Sequence, residues 1–346
     1  MKISKSLIAA AAMIVLLGST TAQAAGSLNI YNWSGYIAPD LVEKFQNETG
    51  IDITLDFYNS NETLLAKLKQ GGGGYDIAIA TNDFVQIMIS EGLIQQIDAT
   101  KLPGYENTIA SLKSPDTDPG NKYSYPYMWG TTSFAVNTNK FGGDVDTYKT
   151  LFEPPKELSG NINMFDSADA VVNMASIYLN IPFCSEDGKE MQRVLNLLKA
   201  QKAHVKTYSS NFGAIRESLV AEELDMSTFW SGSTMRTRSM NPAIRYAFPK
   251  EGVLAWVDSV VVPKSAKNLA NAKRFISFLM QPENAALNSN FLKYQNSVMG
   301  SDKYFAPELA DAPEMAVPEG RKVYFAKTCG EKATKLRDRV WTNLLK

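Results

Sequence analysis

The 346-residue chain is poor in the side chains on which most reactions depend: it has one histidine, His204, and two cysteines, Cys184 and Cys329. A tetrahedral zinc site of Cys and His ligands needs several such groups at short spacings, and these three are scattered. A Ser-His-Asp or Cys-His mechanism would rest entirely on His204, which lies among Lys199, Lys202 and Lys206 in a stretch that reads as solvated surface. An excess of either charge is missing too, with 35 Lys and Arg against 36 Asp and Glu, a formal net charge of -1. Nucleic acid as the main partner is disfavoured, because phosphate binding needs a clear basic excess. Absent as well is any apolar run of the roughly 20 residues that cross a bilayer. The expectation is a chain with no metal, no cofactor and no catalytic activity.

What is present begins with export. Met1 to Ala24 reads as a secretory signal peptide, with Lys2 and Lys5 ahead of the apolar run Leu7–Leu17 and Ala22-Gln23-Ala24 as the small-x-small cleavage site. No lipobox cysteine stands near that site, so the expected destination is a bacterial periplasm, with cleavage after Ala24. Removing Lys2 and Lys5 leaves 33 basic against 36 acidic residues, a net charge of -3. The remaining length suits two domains. In an oxidising compartment Cys184 and Cys329 either pair, tying the C-terminal tail to the second half of the chain, or remain two buried thiols.

The mature chain opens with the alternating strand Ser27–Trp33, and apolar residues at helical spacing follow through Thr49. Ile51–Tyr58 alternates again, a helix runs from an Asn61 cap to Lys69, and Tyr75–Ala80 is a short buried strand before Thr81-Asn82-Asp83. This rhythm predicts an α/β fold with a helix-covered parallel sheet. Ligands in such sheets bind beyond the C-terminal strand ends, where Trp33–Tyr36 and Thr81–Asp83 sit. Gly71–Gly74 is no phosphate loop, since no Gly-Lys-Ser/Thr follows, and Asp76 reads as structural. Tyr123–Asn137 is aromatic and extended, and Pro154-Pro155 marks a change of composition. Beyond it Ser167 caps a helix, Met226–Trp230 and Ser259–Pro263 read as strands, and Ala326–Leu345 reads as a helix.

Five tryptophans remain after the leader: Trp33, Trp129, Trp230, Trp256 and Trp341. The first four share a placement at strand ends or loops beside Gly, Ser or Asp. A cage of aromatic faces suits a cation, each contact giving roughly 0.5–2 kcal/mol once desolvated. Asp83 and Asp258 would complement a cationic head group; the plainer reading makes one a helix cap and the other a turn residue.

Taken in order, Ile30-Tyr-Asn-Trp-Ser-Gly-Tyr36, Ser60-Asn-Glu62, Gly74-Tyr-Asp-Ile77, Tyr127-Met-Trp-Gly-Thr131, Trp230-Ser-Gly232, Trp256-Val-Asp258 and Asp338-Arg-Val-Trp341 resemble the periplasmic spermidine/putrescine-binding proteins of ABC transporters. The resemblance covers essentially the whole mature chain. It implies a type II periplasmic binding protein fold, two α/β lobes hinged around a central cleft. The lobes are expected at residues 25–137 with 256–300, and at 138–255 with 301–346. It further implies that Trp33, Tyr36 and Thr81 line the first lobe, that Trp230 and Trp256 sandwich a methylene chain, that Asp258 takes an ammonium group, and that Tyr294 completes the pocket. Departures accompany the matches. Ser167 and Ala170 stand in Asp166-Ser-Ala-Asp-Ala-Val171 where relatives carry acids, and Ser233 stands where some putrescine binders have Asp. Ala326 or Lys327 replaces a usual glutamine, while Asp83 is an added acid. Ser167 and Ser233 are thus candidate second-lobe contacts of a depleted kind.

The function so implied is capture of a polyamine or related small amine by a monomer, for an inner-membrane ABC permease. Fewer acids weaken the case for spermidine and favour a diamine, or a singly cationic or zwitterionic amine such as a quaternary ammonium compound or amino-acid derivative. A ligand-sensing partner of a membrane receptor would share the same cleft.

Overall fold

A computed structural model describes residues 26–346; the signal peptide expected at residues 1–24 lies outside the described residues. The first half contains β1 (Ser27–Trp33), α1 (Pro39–Thr49), β2 (Asp52–Tyr58), α2 (Asn61–Lys69), β3 (Ile77–Thr81), α3 (Asn82–Ser90) and the long β4 (Ser124–Asn137). Next come α4 (Tyr148–Phe152), β5 (Ile162–Met164), α5 (Ala168–Leu179), α6 (Gly188–Lys202), β6 (Val205–Tyr208), α7 (Phe212–Val220), β7 (Met226–Trp230), α8 (Ser231–Arg238) and β8 (Ile244–Tyr246). The chain closes with β9 (Val253–Val261), α9 (Leu269–Leu279), α10 (Pro282–Leu292), β10 (Gln295–Asn296), α11 (Pro307–Ala310), β11 (Val323–Phe325) and α12 (Glu331–Leu345).

Local chemistry sets these boundaries. α1 starts on Pro39, whose fixed φ suits a first helical turn, buries Leu41 and Phe45 one turn apart, and stops at Gly50 in the left-handed region (φ 68°). Ser60, one residue before the expected Asn61, caps α2 by accepting from the Thr63 amide. Ser167 caps α5 as expected. The helical pattern from Ala326 is broken: Val323–Phe325 pairs in parallel with Val253–Ala255 of β9, and α12 starts only after Gly330. The Val-Tyr-Phe run favours an extended backbone, and Cys329 is tied to Cys184 by a disulfide with the Cα atoms 5.1 Å apart.

The sheet runs β2-β1-β3-β9-β4-β7-β5-β6. Its two ends are parallel, β1 with β2 and β3, and β5 with β6 and β7; antiparallel β4 and β9 join them in the middle. One core gathers Leu28, Ile30, Phe45, Ile77 and Phe275; a separate one gathers Phe152, Ile162, Val172, Leu198 and Phe229. Strand β4 gives Tyr125, Tyr127 and Met128 to the first core and Phe134 to Val136 to the second, while β9 gives Val260 to the first and Leu254 to the second. Two strands crossing between two cores make a two-lobed α/β molecule with a waist at Trp129–Ser133 and Ala255–Asp258. Asp76 locks the first lobe: its carboxylate accepts from the amides of Asn29, Lys267 and Asn268, tying β1 to the start of α9.

Candidate functional site

The waist collects the aromatic residues. Asn32 fixes the turn after β1, donating to the Tyr36 carbonyl at 3.1 Å and accepting from the Trp33 amide at 2.8 Å. Trp33 then packs 4.5 Å from Tyr58. Tyr36 lies 5.9 Å from Tyr127 and 6.3 Å from Tyr294, and Tyr294 meets Trp256 edge-on at 5.2 Å. From the other lobe Trp230, at the end of β7, rests on Phe165 at 4.5 Å and touches both cores. Ser233 of α8 is hydrogen-bonded to the Tyr294 hydroxyl at 2.8 Å, so it steadies a ring of the opposite lobe.

Two glycines make this packing possible. Gly130 faces Trp256 in the β4–β9 register, and a Cβ on it would lie 2.6 Å from the indole Cζ2. On Gly232 a Cβ would lie 2.3 Å from the Lys293 carbonyl and 2.7 Å from the Tyr294 ring.

Asp258 stands at the base of the wall, in β9 opposite Thr81 of β3 and Met128 of β4. It is 6% exposed, and its Oδ1 has no hydrogen-bond partner. Burial lifts its carboxyl to about 7; the Tyr36 hydroxyl opposes the rise and the Asp83 charge adds to it. Yet Tyr36 Oη is itself buried without a bond of ordinary geometry, as are Trp33 Nε1 and Trp256 Nε1. Native interiors rarely leave polar atoms unmatched, because each forfeits its hydration. Burial also raises the hydroxyls of Tyr36, Tyr58, Tyr127 and Tyr294, which keeps them neutral donors. Asp83, in the first turn of α3, accepts from Thr81 Oγ1, and Thr81 Oγ1 accepts from Asn61.

Trp33, Tyr36, Thr81, Asp83, Trp256, Asp258 and Tyr294 therefore come together on the first-lobe side, with Trp230 and Ser233 reaching them from the second. Ser167 Oγ is engaged in capping, accepting from Ala170 N at 3.3 Å. Trp129, placed like its neighbours in sequence, is framework: its indole donates to the Asn296 carbonyl at 3.1 Å. Trp341 packs on Tyr208 in the second lobe. His204 is half-buried and paired with Ser159 at 2.8 Å.

Sequence reasoning passed over Tyr127, Gly130, Asp169 and Arg337. Tyr127 donates to the Tyr36 carbonyl at 3.1 Å and accepts from Asn288 at 2.7 Å, so it holds Tyr36 in place. Asp169, in the first turn of α5, is ion-paired with Arg337 of α12. Burial raises it, Arg337 lowers it and the Asp83 charge raises it, although its side chain is 39% exposed. Its signal in the sequence was an acid left in a helix start whose neighbouring acids were gone. Among the described residues no cluster of three or more His, Cys, Asp and Glu could hold a metal ion, and no helix is long and apolar enough to cross a membrane. An open surface hollow of about 540 Å³ lies apart, beside the disulfide, where Lys332 pairs with Glu186 and Lys335 with Glu331.

Two α/β lobes crossed by two strands define the type II periplasmic binding protein fold. The chain belongs to the family of periplasmic spermidine/putrescine-binding proteins: the model of the bacterial extracellular solute-binding protein family matches residues 40–317, about four-fifths of the chain. The spermidine/putrescine-binding periplasmic protein of Escherichia coli is 33% identical over 312 residues, covering 90% of this chain and 88% of that protein. The putrescine-binding periplasmic protein SpuD of Pseudomonas aeruginosa is 31% identical over 354 residues, covering 96% of each. Among solved structures, the spermidine/putrescine ABC transporter substrate-binding protein PotD of Streptococcus pneumoniae superposes with a TM-score of 0.84 at 27% identity, covering 92% of this chain and 98% of that one. Members of this family bind solutes and are not enzymes.

Proposed function

We propose that the protein is the periplasmic receptor of an ABC importer, and that its cleft holds a linear diamine. One ammonium sits on Asp258 and the other reaches Asp83 and Thr81, while the methylene chain lies between Trp230 and Trp256 against Tyr36 and Tyr294. The observation that carries this reading is Asp258, a carboxylate 6% exposed with an unpartnered oxygen, ringed by neutral aromatic rings. A buried acid of that kind is stabilised by the arrival of a cation. The relatives named above, which bind putrescine or spermidine, support the amine class. Residues 25–137 with 256–300 form the lobe that carries the charge, and 138–255 with 301–346 the lobe that closes over it. The protein works as an exported monomer, cleaved after Ala24, that docks on an inner-membrane permease.

Calorimetric titration with putrescine, spermidine and a betaine tests the ligand. Putrescine is expected to bind most tightly. Submicromolar spermidine binding, tighter than putrescine, would overturn the diamine assignment, and binding of the betaine alone would overturn the amine chain altogether.

A further inference from the structure

A third acid, Asp169, opens the second-lobe helix α5, and the fold brings its own cation to it. It lies in the stretch where Ser167 and Ala170 offer no charge. Arg337 reaches it from α12, and that helix is held firmly. Thr328 Oγ1 donates to the Asp83 carbonyl at 2.9 Å, which lays the C-terminal segment against the first-lobe edge of the cleft. The next residue, Cys329, is bonded to Cys184, and Thr334 Oγ1 donates back to the Cys329 carbonyl at 3.4 Å. From this anchor α12 packs along α5 and α6, its Val340 and Leu344 in the second core. Arg337 is consequently a pre-placed guanidinium, 22% exposed, whose ordering is set by the fold.

We propose that Arg337 is a resident counter-cation that limits the cleft to two ammonium groups by keeping Asp169 from a third. The proposal rests on the diamine reading and deepens it. Asp258 faces Thr81 across the β3–β9 register, two residues from Asp83, and the segment that Thr328 pins to the Asp83 carbonyl leads into the helix whose Arg337 holds Asp169. A diamine satisfies Asp258 and Asp83 and stops. The third ammonium of a linear triamine would meet an acid already neutralised, with a positive charge behind it. A tethered guanidinium competes with that ammonium at high effective concentration, and the fork geometry of Arg suits a carboxylate better than a single ammonium does.

The test is calorimetric titration of putrescine and spermidine into the wild-type chain, R337Q and D169N/R337Q. The wild-type chain is expected to favour putrescine. R337Q is expected to raise spermidine affinity about fivefold relative to putrescine, the scale of one partly exposed ammonium–carboxylate pair. The double variant, with neither charge, should restore the wild-type ratio. An unchanged ratio in R337Q overturns the proposal, as does a shift that persists in the double variant. Should R337Q fail to fold, D169N leaves Arg337 facing only the longer contact to its neighbour Asp338, at 3.9 Å, and is expected to weaken spermidine more than putrescine; equal weakening overturns the proposal. A wild-type chain that binds neither amine removes the diamine reading itself, whereas putrescine binding with an unmoved ratio removes only the role of Arg337.

Discussion

On the first lobe the waist carries Asp258, Asp83 and Thr81 from three neighbouring elements, whereas the second lobe brings Trp230 and Ser233 to it and pairs Asp169, at the start of α5, with Arg337. One face holds an acid with an unpartnered oxygen; the other has its acid already ion-paired. The contrast assigns different work to each. On the diamine reading proposed above, charge recognition belongs to the first lobe, and the second supplies an aromatic cover and the Ser233 hydroxyl bonded to Tyr294. On the same reading, closure would set Trp230 over the captured cation, with no acid of the second lobe needed to grasp it.

The sharpest way to break this contrast is Asp258→Asn. If the first lobe carries the charge, putrescine affinity should fall by about two to three decades, the scale for losing a buried partner of an ammonium. Asp169→Asn should cost far less. Comparable losses on titration would show charge shared across the cleft. The next effect in size is steric. Gly130→Ala places a methyl against the Trp256 indole, at 2.6 Å before relaxation, and a planar ring can yield only by tilting. Affinity should drop roughly thirtyfold through weakened cation–π contact and burial. Tryptophan fluorescence should change even without ligand, and an unaltered spectrum would contradict the close approach.

Much of this arrangement was legible in the sequence, and the rest was hidden for identifiable reasons. Strand–helix alternation exposes the first lobe, and Trp33, Asp83 and Trp230 are marked by their positions at strand ends; Trp256 and Asp258, which the sequence suggests as loop or turn residues, lie instead inside β9, a strand paired on both sides. Asp76 was read as structural, and its four hydrogen bonds make it so. Trp129 shows the limit of that reasoning: its surroundings in sequence match those of Trp256, but the β4–β10 pairing turns its indole onto a backbone carbonyl. The helix expected from Ala326 begins only at Glu331, because the Ala326 amide still donates to Ala255 of β9, continuing the ladder of Val323–Phe325, and Cys329 is held by Cys184. Arg337 carried no signal, since its partner is supplied by a helix on the far side of the chain.

Acidity offers a graded test of the same contrast. Asp258 titrates near 7, faced by Tyr36 and Tyr58, by Tyr127 of β4, by Tyr294, and by Asp83 of α3. A cation needs the ionised form, so affinity should hold above pH 7 and fall about tenfold per unit as pH drops below it. Proton release on binding near pH 7 should make the measured enthalpy depend on the buffer. The stability of the ligand-free protein runs the other way. The folded value of about 7 lies above the unfolded value of roughly 4, so the contribution is complete below pH ~4 and is lost as pH rises through 7. That loss is on the order of 4 kcal/mol, and Asp258→Asn should raise the thermal midpoint at pH 8 while leaving little pH dependence behind.

The smallest expected effect concerns the second lobe. Ser233→Ala removes the 2.8 Å bond to Tyr294, leaving a buried phenol without that partner. A neutral hydrogen bond contributes about 1 kcal/mol, so putrescine affinity should fall about fivefold. Because Ser233 carries no charge, the loss should be equal at pH 6 and pH 8, unlike any change at Asp258. If titration shows the Ser233→Ala loss growing with pH, the hydroxyl acts on the ligand's charge and not on the ring, and the division of work between the lobes fails at that residue.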